Sequence, residues 1–195
     1  MTKGERTRER IVGTAADLFH ERGMNAASLG DVLRASGTGK GQLYQHFAGR
    51  EELVNKVLDR HRATLRGVEP VRTWDDLHGW LHRYLEMQRS FGFLRGCPVG
   101  TAAYSLQPQQ DEQRARLQQI FDDIRSGVAG FLHREQAAGR LDDATDPDRL
   151  ADFAVAAAQG GMLLGLLERT DRPVRGVLDE TFAHLQSYRR EEEIE

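Results

Sequence analysis

Apolar residues in this 195-residue chain recur at three- and four-residue spacing almost from end to end, and only five prolines interrupt them. Strict apolar–polar alternation over strand lengths is nearly absent, so the pattern predicts an all-α fold. A first helix carries Ile11, Ala15, Leu18 and Phe19 on one face and should stop at Gly23 in the left-handed conformation. A second starts at Ser28, a good N-cap, presents Val32 and Leu33, and breaks at Ser36-Gly37. A short third helix covers about Lys40 to Phe47. A fourth begins near Arg50, holds Leu53, Val57, Leu58 and Leu65 on one stripe, and stops around Gly67, just before Glu69-Pro70. Longer helices follow, over roughly Thr73 to Phe91, from Pro98, and over roughly Gln109 to Ala138. Two more start at Asp146-Pro147 and after Pro173, the last with Val174, Leu178, Thr181, Leu185 and Tyr188 in register. The tail Glu191 to Glu195 should fray.

Charge divides the chain. The net charge of −3 speaks against a nucleic-acid binder, but residues 1–66 hold 12 Lys+Arg against 8 Asp+Glu, and the remainder 15 against 22. A small basic module joined to an acidic one gives this asymmetry. At 39% hydrophobic and 29% charged residues, a folded soluble protein is expected. No basic segment followed by an apolar one opens the chain, and no signal peptide is expected. The longest charge-free apolar stretch, Phe153 to Leu167, contains three glycines and a glutamine and is shorter than a membrane span. Cys97 is the single cysteine, which excludes an intramolecular disulfide and a cysteine-cluster metal site. The expectation is a cytoplasmic protein without a cofactor and without a membrane partner.

Two short helices joined by a glycine-containing turn form a helix-turn-helix pattern, here around Ser36-Gly37-Thr38-Gly39. In the third helix, KGQLYQHF, Leu43 and Phe47 face inward against Val32, Leu33 and Phe19. Lys40, Gly41, Gln42, Gln45 and His46 stay outside. Amide and basic side chains on an exposed helix suit base edges: glutamine can bond adenine in a bidentate manner, and lysine guanine. A plain surface helix of an all-α domain would have the same polarity.

The stretch from Thr7 through Leu53 closely resembles the DNA-binding domain of TetR-family transcriptional regulators, in TRERIVGTAADLFHERG, SLGDVLRASG, KGQLYQHF and GREEL. That resemblance implies an N-terminal three-helix helix-turn-helix domain over 1–49 and a helical ligand-binding and dimerisation domain over 50–195, connected by helix 50–66. It implies phosphate contacts from Tyr44 and His46, with Ser28 serving as both cap and contact, and places Thr38 in the DNA-contacting turn. Lys40, Gln42 and Gln45 stand where bases are usually read. Arg50, at a helix N-terminus, has both charge and dipole to attract phosphate. Two departures stand out: Gly39 replaces a common helix-capping serine, and Gly30 replaces a side chain that often reaches DNA. Lys3, Arg6, Arg8 and Arg10 form a basic arm that either reaches DNA or is simply solvated.

A single helix-turn-helix reads few base pairs, so a homodimer on a palindromic double-stranded DNA operator is expected. ADFAVAAAQGGMLLGLLER is apolar nearly all round, and Ala154, Ala158, Gly161 and Gly165 form a small-residue stripe that lets another helix approach closely. Helices near 147–169 and 174–190 are the expected dimer elements, as in the resembled family, with core packing inside one subunit as the alternative. Trp80, Tyr84, Met87 and Phe91 recur at helical spacing, as do Phe121, Ile124, Val128 and Phe131. Such stripes are often plain core, but the family layout places a small-molecule cavity there. Gln88, Tyr104, Arg125 and Gln159 would orient a hydrophobic or aromatic effector, with Met162 and Cys97 also lining the site.

Cys97, just before Pro98, is read either as a packed residue or as an electrophile or oxidant sensor. A small helical enzyme with Cys97 as nucleophile is the reading from another class, and the sequence offers it no base. His78, His82 and Glu86 have a spacing that could ligate a metal, but a solvated helix face is the commoner meaning, and no metal site is expected. The fourth helix, with Val57 and His61, is the expected lever between the effector and DNA.

Overall fold

In the computed structural model, which describes residues 1–66 and 70–190, nine α-helices make up the architecture, with one isolated bridge between Leu141 and Arg189. The helices are α1 (Lys3–Arg22), α2 (Leu29–Ser36), α3 (Lys40–His46), α4 (Arg50–Arg66), α5 (Trp74–Ser90), α6 (Pro98–Tyr104), α7 (Asp111–Ala137), α8 (Pro147–Glu168) and α9 (Arg172–Gln186). The all-α expectation and the order of helices hold. The stop expected near Gly67 to Glu69 and the fraying of Glu191 to Glu195 lie outside the described residues.

Packing divides the chain into two compact units, Met1–Gly67 with Pro98–Ile120, and Val68–Cys97 with Phe121–Glu195. This is not the division at 49/50 read from the sequence. All of α4, together with α6 and the start of α7, packs with the helix-turn-helix. Polar pairs explain why: the Gln113 amide donates to Asn55 Oδ1 (2.9 Å), the Asn55 amide to Glu112 Oε1 (2.9 Å), and Arg116 to Asp59 Oδ1 (2.6 Å). Buried Asn55 and Gln113 leave few donors unmet this way.

In the first unit, Ile11, Ala15 and Phe19 of α1 are buried together with Val32, Leu43, Phe47, Leu53, Val57 and Leu58. Leu33, read as an inward residue, is only half-buried. Thr2 and Glu5 cap α1 reciprocally (3.2 and 2.6 Å), and Ser28 and Asp31 cap α2 in the same manner (3.1 and 2.9 Å). Gly23 ends α1 at φ 88° and ψ 149°. That conformation favours glycine but is not the left-handed helical one expected, because the chain extends at once and the Met24 amide donates to Ser105 Oγ (3.3 Å). Gly37 does take the left-handed conformation, φ 64° and ψ 28°.

In the second unit, Thr73 and Asp76 cap α5, and Asp146 caps α8, with Pro147 at its first position. The core gathers Leu77, Val128, Phe131, Leu132, Leu141, Leu150, Ala151, Ala154 and Leu185. The small-residue stripe of α8 meets α9 of the same chain: a Cβ at Gly165 would lie 2.5 Å from Val174 Cγ2, 2.9 Å from Gln88 Oε1 and 3.2 Å from the Thr170 carbonyl. Ala154, Ala158, Gly161 and Gly165 are all buried, and Gly161 also abuts Val177 of α9. The close approach read from the stripe is therefore made within one chain. Gly165→Ala is expected to cost about 1–3 kcal/mol by forcing α8 from its neighbours. Gly127→Ala, at an exposed position of α7 with nothing within 4 Å, should instead stabilise by about 0.5–1 kcal/mol. Urea unfolding of both variants measures the contrast.

The opposite face of α8 is exposed and apolar: Phe153 (45%), Leu163 (46%), Leu164 (49%) and Leu167 (70%). By length and composition the whole of α8 would also suffice to cross a membrane, although the charge-free stretch Phe153 to Leu167 within it is shorter than a span. Its buried face, locked against α9, is that of a core helix in a folded domain.

Candidate nucleic-acid interface and effector domain

α3 is anchored by Leu43, which is fully buried, and by Phe47 just beyond its end. These contacts leave Lys40, Gly41, Gln42, Tyr44 and Gln45 exposed, and His46 half-buried. Lys40 Nζ lies 6.0 Å from the Tyr44 ring centroid, so the two share one end of the exposed face. With glycine at the N-cap, no side chain caps α3 from that position, and Gln42 substitutes: its Oε1 accepts from the Gly39 amide (3.2 Å). The Gln42 oxygen is thus held by the helix start, on a side chain that is otherwise exposed.

Three of the expected contacts have other work. Thr38 is buried, and its hydroxyl lies 2.6 Å from that of Ser36, bracing the turn from inside. The Ser28 hydroxyl is on the surface but donates to Asp31 Oδ2 (2.6 Å). Hydrogen bonds from the Ser28 side chain and backbone, with Arg34 nearby, hold the Asp31 carboxyl down to about 2. Arg50 turns inward: its guanidinium donates to the Ala27 carbonyl (2.7 Å) and to the Met24 carbonyl, and stacks 5.4 Å from the Phe19 ring centroid. Burial lowers its pKa. Carbonyls of the α1–α2 connection compete for the cation that the helix dipole would otherwise have offered to phosphate.

The basic arm is not a free segment, since Lys3, Arg6, Arg8 and Arg10 lie within α1. Arg6 donates to the Met1 carbonyl (2.9 Å), and Arg8 lies 5.5 Å from the Phe47 ring centroid, beside the end of α3. Along α4, Val57 is buried and His61 half-buried. Burial first, then the neighbouring His20 and Arg60, push the His61 imidazole down to about 4, so it is neutral near pH 7.

The second unit holds nearly all the expected effector residues. Tyr84, Gln88, Cys97, Ile124, Val128 and Met162 are buried, and Trp80, Met87, Phe91, Phe121, Arg125 and Gln159 half-buried. Trp80 meets Tyr84 edge-on, with ring centroids 5.2 Å apart. Burial raises the Tyr84 pKa, with Cys97 as a lesser influence, so the ring keeps its proton. Val128 is corrected from lining to core, being packed among Leu77, Phe131 and Leu132. Arg125 is engaged by Asp152 (2.9 Å) and by Asp122, and Tyr104 lies in the first unit with 79% of its surface exposed.

Buried polar atoms give a signal that sequence could not. The Gln88 amide donates to the Met162 carbonyl (2.7 Å), but Gln88 Oε1, Gln159 Nε2 and Thr181 Oγ1 have no hydrogen-bond partner among the described residues. Unmet buried groups are costly, and each calls for a partner such as a ligand or a water molecule. Thr181, read as a plain register position of the last helix, is the one sequence reasoning missed. Cys97 is buried and in no disulfide. Glu86 pairs with Arg89 (2.7 Å), so it does not complete a ligand set with His78 and His82.

Residues 11–57 match the family described as bacterial regulatory proteins, tetR family, and residues 74–180 match the tetracyclin repressor-like C-terminal domain. The HTH-type transcriptional repressor DhaR of Mycobacterium sp. (strain GP1) is 27% identical over 188 residues, 91% of each chain. An HTH-type transcriptional regulator of Mycobacterium tuberculosis is 30% identical over 179 residues, covering 86% of this chain and 88% of its own. A TetR transcriptional regulator from Chloroflexus aurantiacus superposes with a TM-score of 0.82 at 25% identity, over 97% of this chain and 99% of the other. These relatives are regulators of transcription, and a cysteine enzyme has no counterpart among them. The chain belongs to the TetR family: it is a helix-turn-helix, DNA-binding transcriptional regulator and not an enzyme.

Proposed function

We propose that the chain is a homodimeric repressor that leaves a palindromic operator when a small, largely apolar molecule binds its C-terminal unit. The observation that carries the DNA reading is the free face of α3, where Lys40, Gln42, Tyr44 and Gln45 are exposed around a fully buried Leu43. Lys40, Gln42 and Gln45 read bases across the exposed helix, with Gly41 allowing close approach. Tyr44 and His46 hold phosphates, and Ser28 adds its exposed hydroxyl. The repressor reading is supported by similarity to DhaR, and work on chromosomal DNA places the protein in the cytoplasm.

Dimerisation uses the exposed stripe Phe153, Leu163, Leu164 and Leu167 of α8, together with the outer face of α9. The effector is bounded by Trp80, Tyr84 and Met87, donates to Gln88 Oε1 and accepts from Gln159 Nε2. Release follows through α4, which carries Arg50 and with it the carbonyls of Met24 and Ala27 just before α2. A ligand achieves a 1:99 to 99:1 shift only by binding the released state more tightly by about 5.5 kcal/mol.

Selection of bound sequences from a random DNA pool tests the reading. Gln42→Ala should cost about 1–3 kcal/mol on the preferred operator and relax the preference at one base pair of each half-site. Tyr44→Phe should weaken all sequences alike. Unchanged preference in Gln42→Ala would remove Gln42 from base reading.

A further inference from the structure

We infer that His78 and His82 of α5 with Asp179 of α9 form a site for a single divalent transition-metal ion of the zinc class. The two histidines are four apart on one helix, so their rings stand one above the other. Their centroids are 4.2 Å apart, and the His78 ring rests edge-on against Phe182 of α9, 4.9 Å away. One donor atom from each of the three side chains lies within 4.8 Å of the others.

Donors around a tetrahedral ion at about 2.0–2.2 Å stand about 3.3–3.6 Å apart. His82 Nε2 and Asp179 Oδ1 already have that separation, 3.5 Å. The His78 donor, on an exposed side chain within 4.8 Å of the other two, completes the set by moving closer. Two further observations point to an occupant. His82 Nε2 is buried and has no hydrogen-bond partner among the described residues. Arg175, one turn before Asp179 on α9, pairs instead with Asp171, and Asp179 faces His82. Two imidazoles and one carboxylate, with the remaining position open to water, suit zinc and its neighbours rather than calcium or magnesium. The ion ties α5 to α9, so it stabilises the C-terminal unit by mass action.

The test uses the full chain, freed of any affinity tag and treated with chelator, titrated calorimetrically with zinc chloride. One ion per chain is expected, with a rise in melting temperature on saturation. Loss of a direct ligand should cost no less than the roughly 10–100-fold typical of an outer-shell partner, so His82→Gln and Asp179→Asn should each weaken binding at least about tenfold. Both positions are partly exposed, and unchanged melting without zinc establishes that the variants fold. Cys97→Ser and His133→Ala should bind as the parent does. Absence of one-to-one binding, full affinity in either ligand variant, or loss in Cys97→Ser overturns the site.

Discussion

Arg50→Met is expected to lower the stability of the N-terminal unit by about 2–3 kcal/mol and to abolish measurable operator binding. Arg50 makes two charge-assisted hydrogen bonds, to the carbonyls of Met24 and Ala27, where hydrogen bonds to charged groups each contribute about 1.5–3 kcal/mol. Methionine keeps much of the packing against Phe19 but leaves both carbonyls without their donor. The upper end of the summed range is not expected, because the site is half-exposed and water recovers part of the loss. DNA binding suffers more than stability, since the two carbonyls open and close the connection that leads into Ser28 and set where α2 begins. Arg50→Lys should fail nearly as badly, because an ammonium is a point charge and cannot span two carbonyls as a planar guanidinium does. Urea unfolding and anisotropy on labelled operator check both expectations. A variant that binds DNA weakly but is fully stable would return Arg50 to the role of a phosphate ligand.

Leu164→Glu combined with Leu167→Glu is expected to give a folded monomer whose operator affinity is about 10²–10⁴ lower. Both side chains are exposed in the single chain, so their replacement costs little folding energy. Placed face to face in a dimer, four glutamates would have to be desolvated beside one another. The second half-site is then no longer held at high effective concentration, which is where the fall of several decades arises. Binding to an isolated half-site should be unchanged. Sedimentation and half-site anisotropy separate this outcome from general unfolding.

The helices and the helix-turn-helix were legible because they are local: caps such as Ser28 with Asp31, the left-handed Gly37, and a buried residue every third or fourth position. The exposed side of α3 followed from the same periodicity. What was not legible depends on partners far along the chain. Arg50 at a helix start looks like an anion ligand until the carbonyls of Met24 and Ala27 are seen to claim it. The glycine stripe of α8 announces a close helix neighbour but does not say that the neighbour is α9 of the same chain. The dimer surface proposed instead lies on the other face, where large apolar residues remain uncovered. Tyr104 shared the aromatic character of the effector residues, yet α6 packs with the DNA-binding unit. Glu86 was the nearest carboxylate in sequence to His82, whereas Asp179 is the one that stands beside it.

Regulation by this chain depends on α3 gripping DNA. Anisotropy of the purified chain on the DNA upstream of its own gene, compared with a scrambled duplex and with Tyr44→Ala, measures this directly. The predicted result is preferential binding to the upstream DNA that weakens with salt, by a slope of about −0.9 for each phosphate neutralised, and is lost in Tyr44→Ala. Equal affinity for the scrambled duplex, or a Tyr44→Ala variant that binds as tightly as the parent, would contradict it.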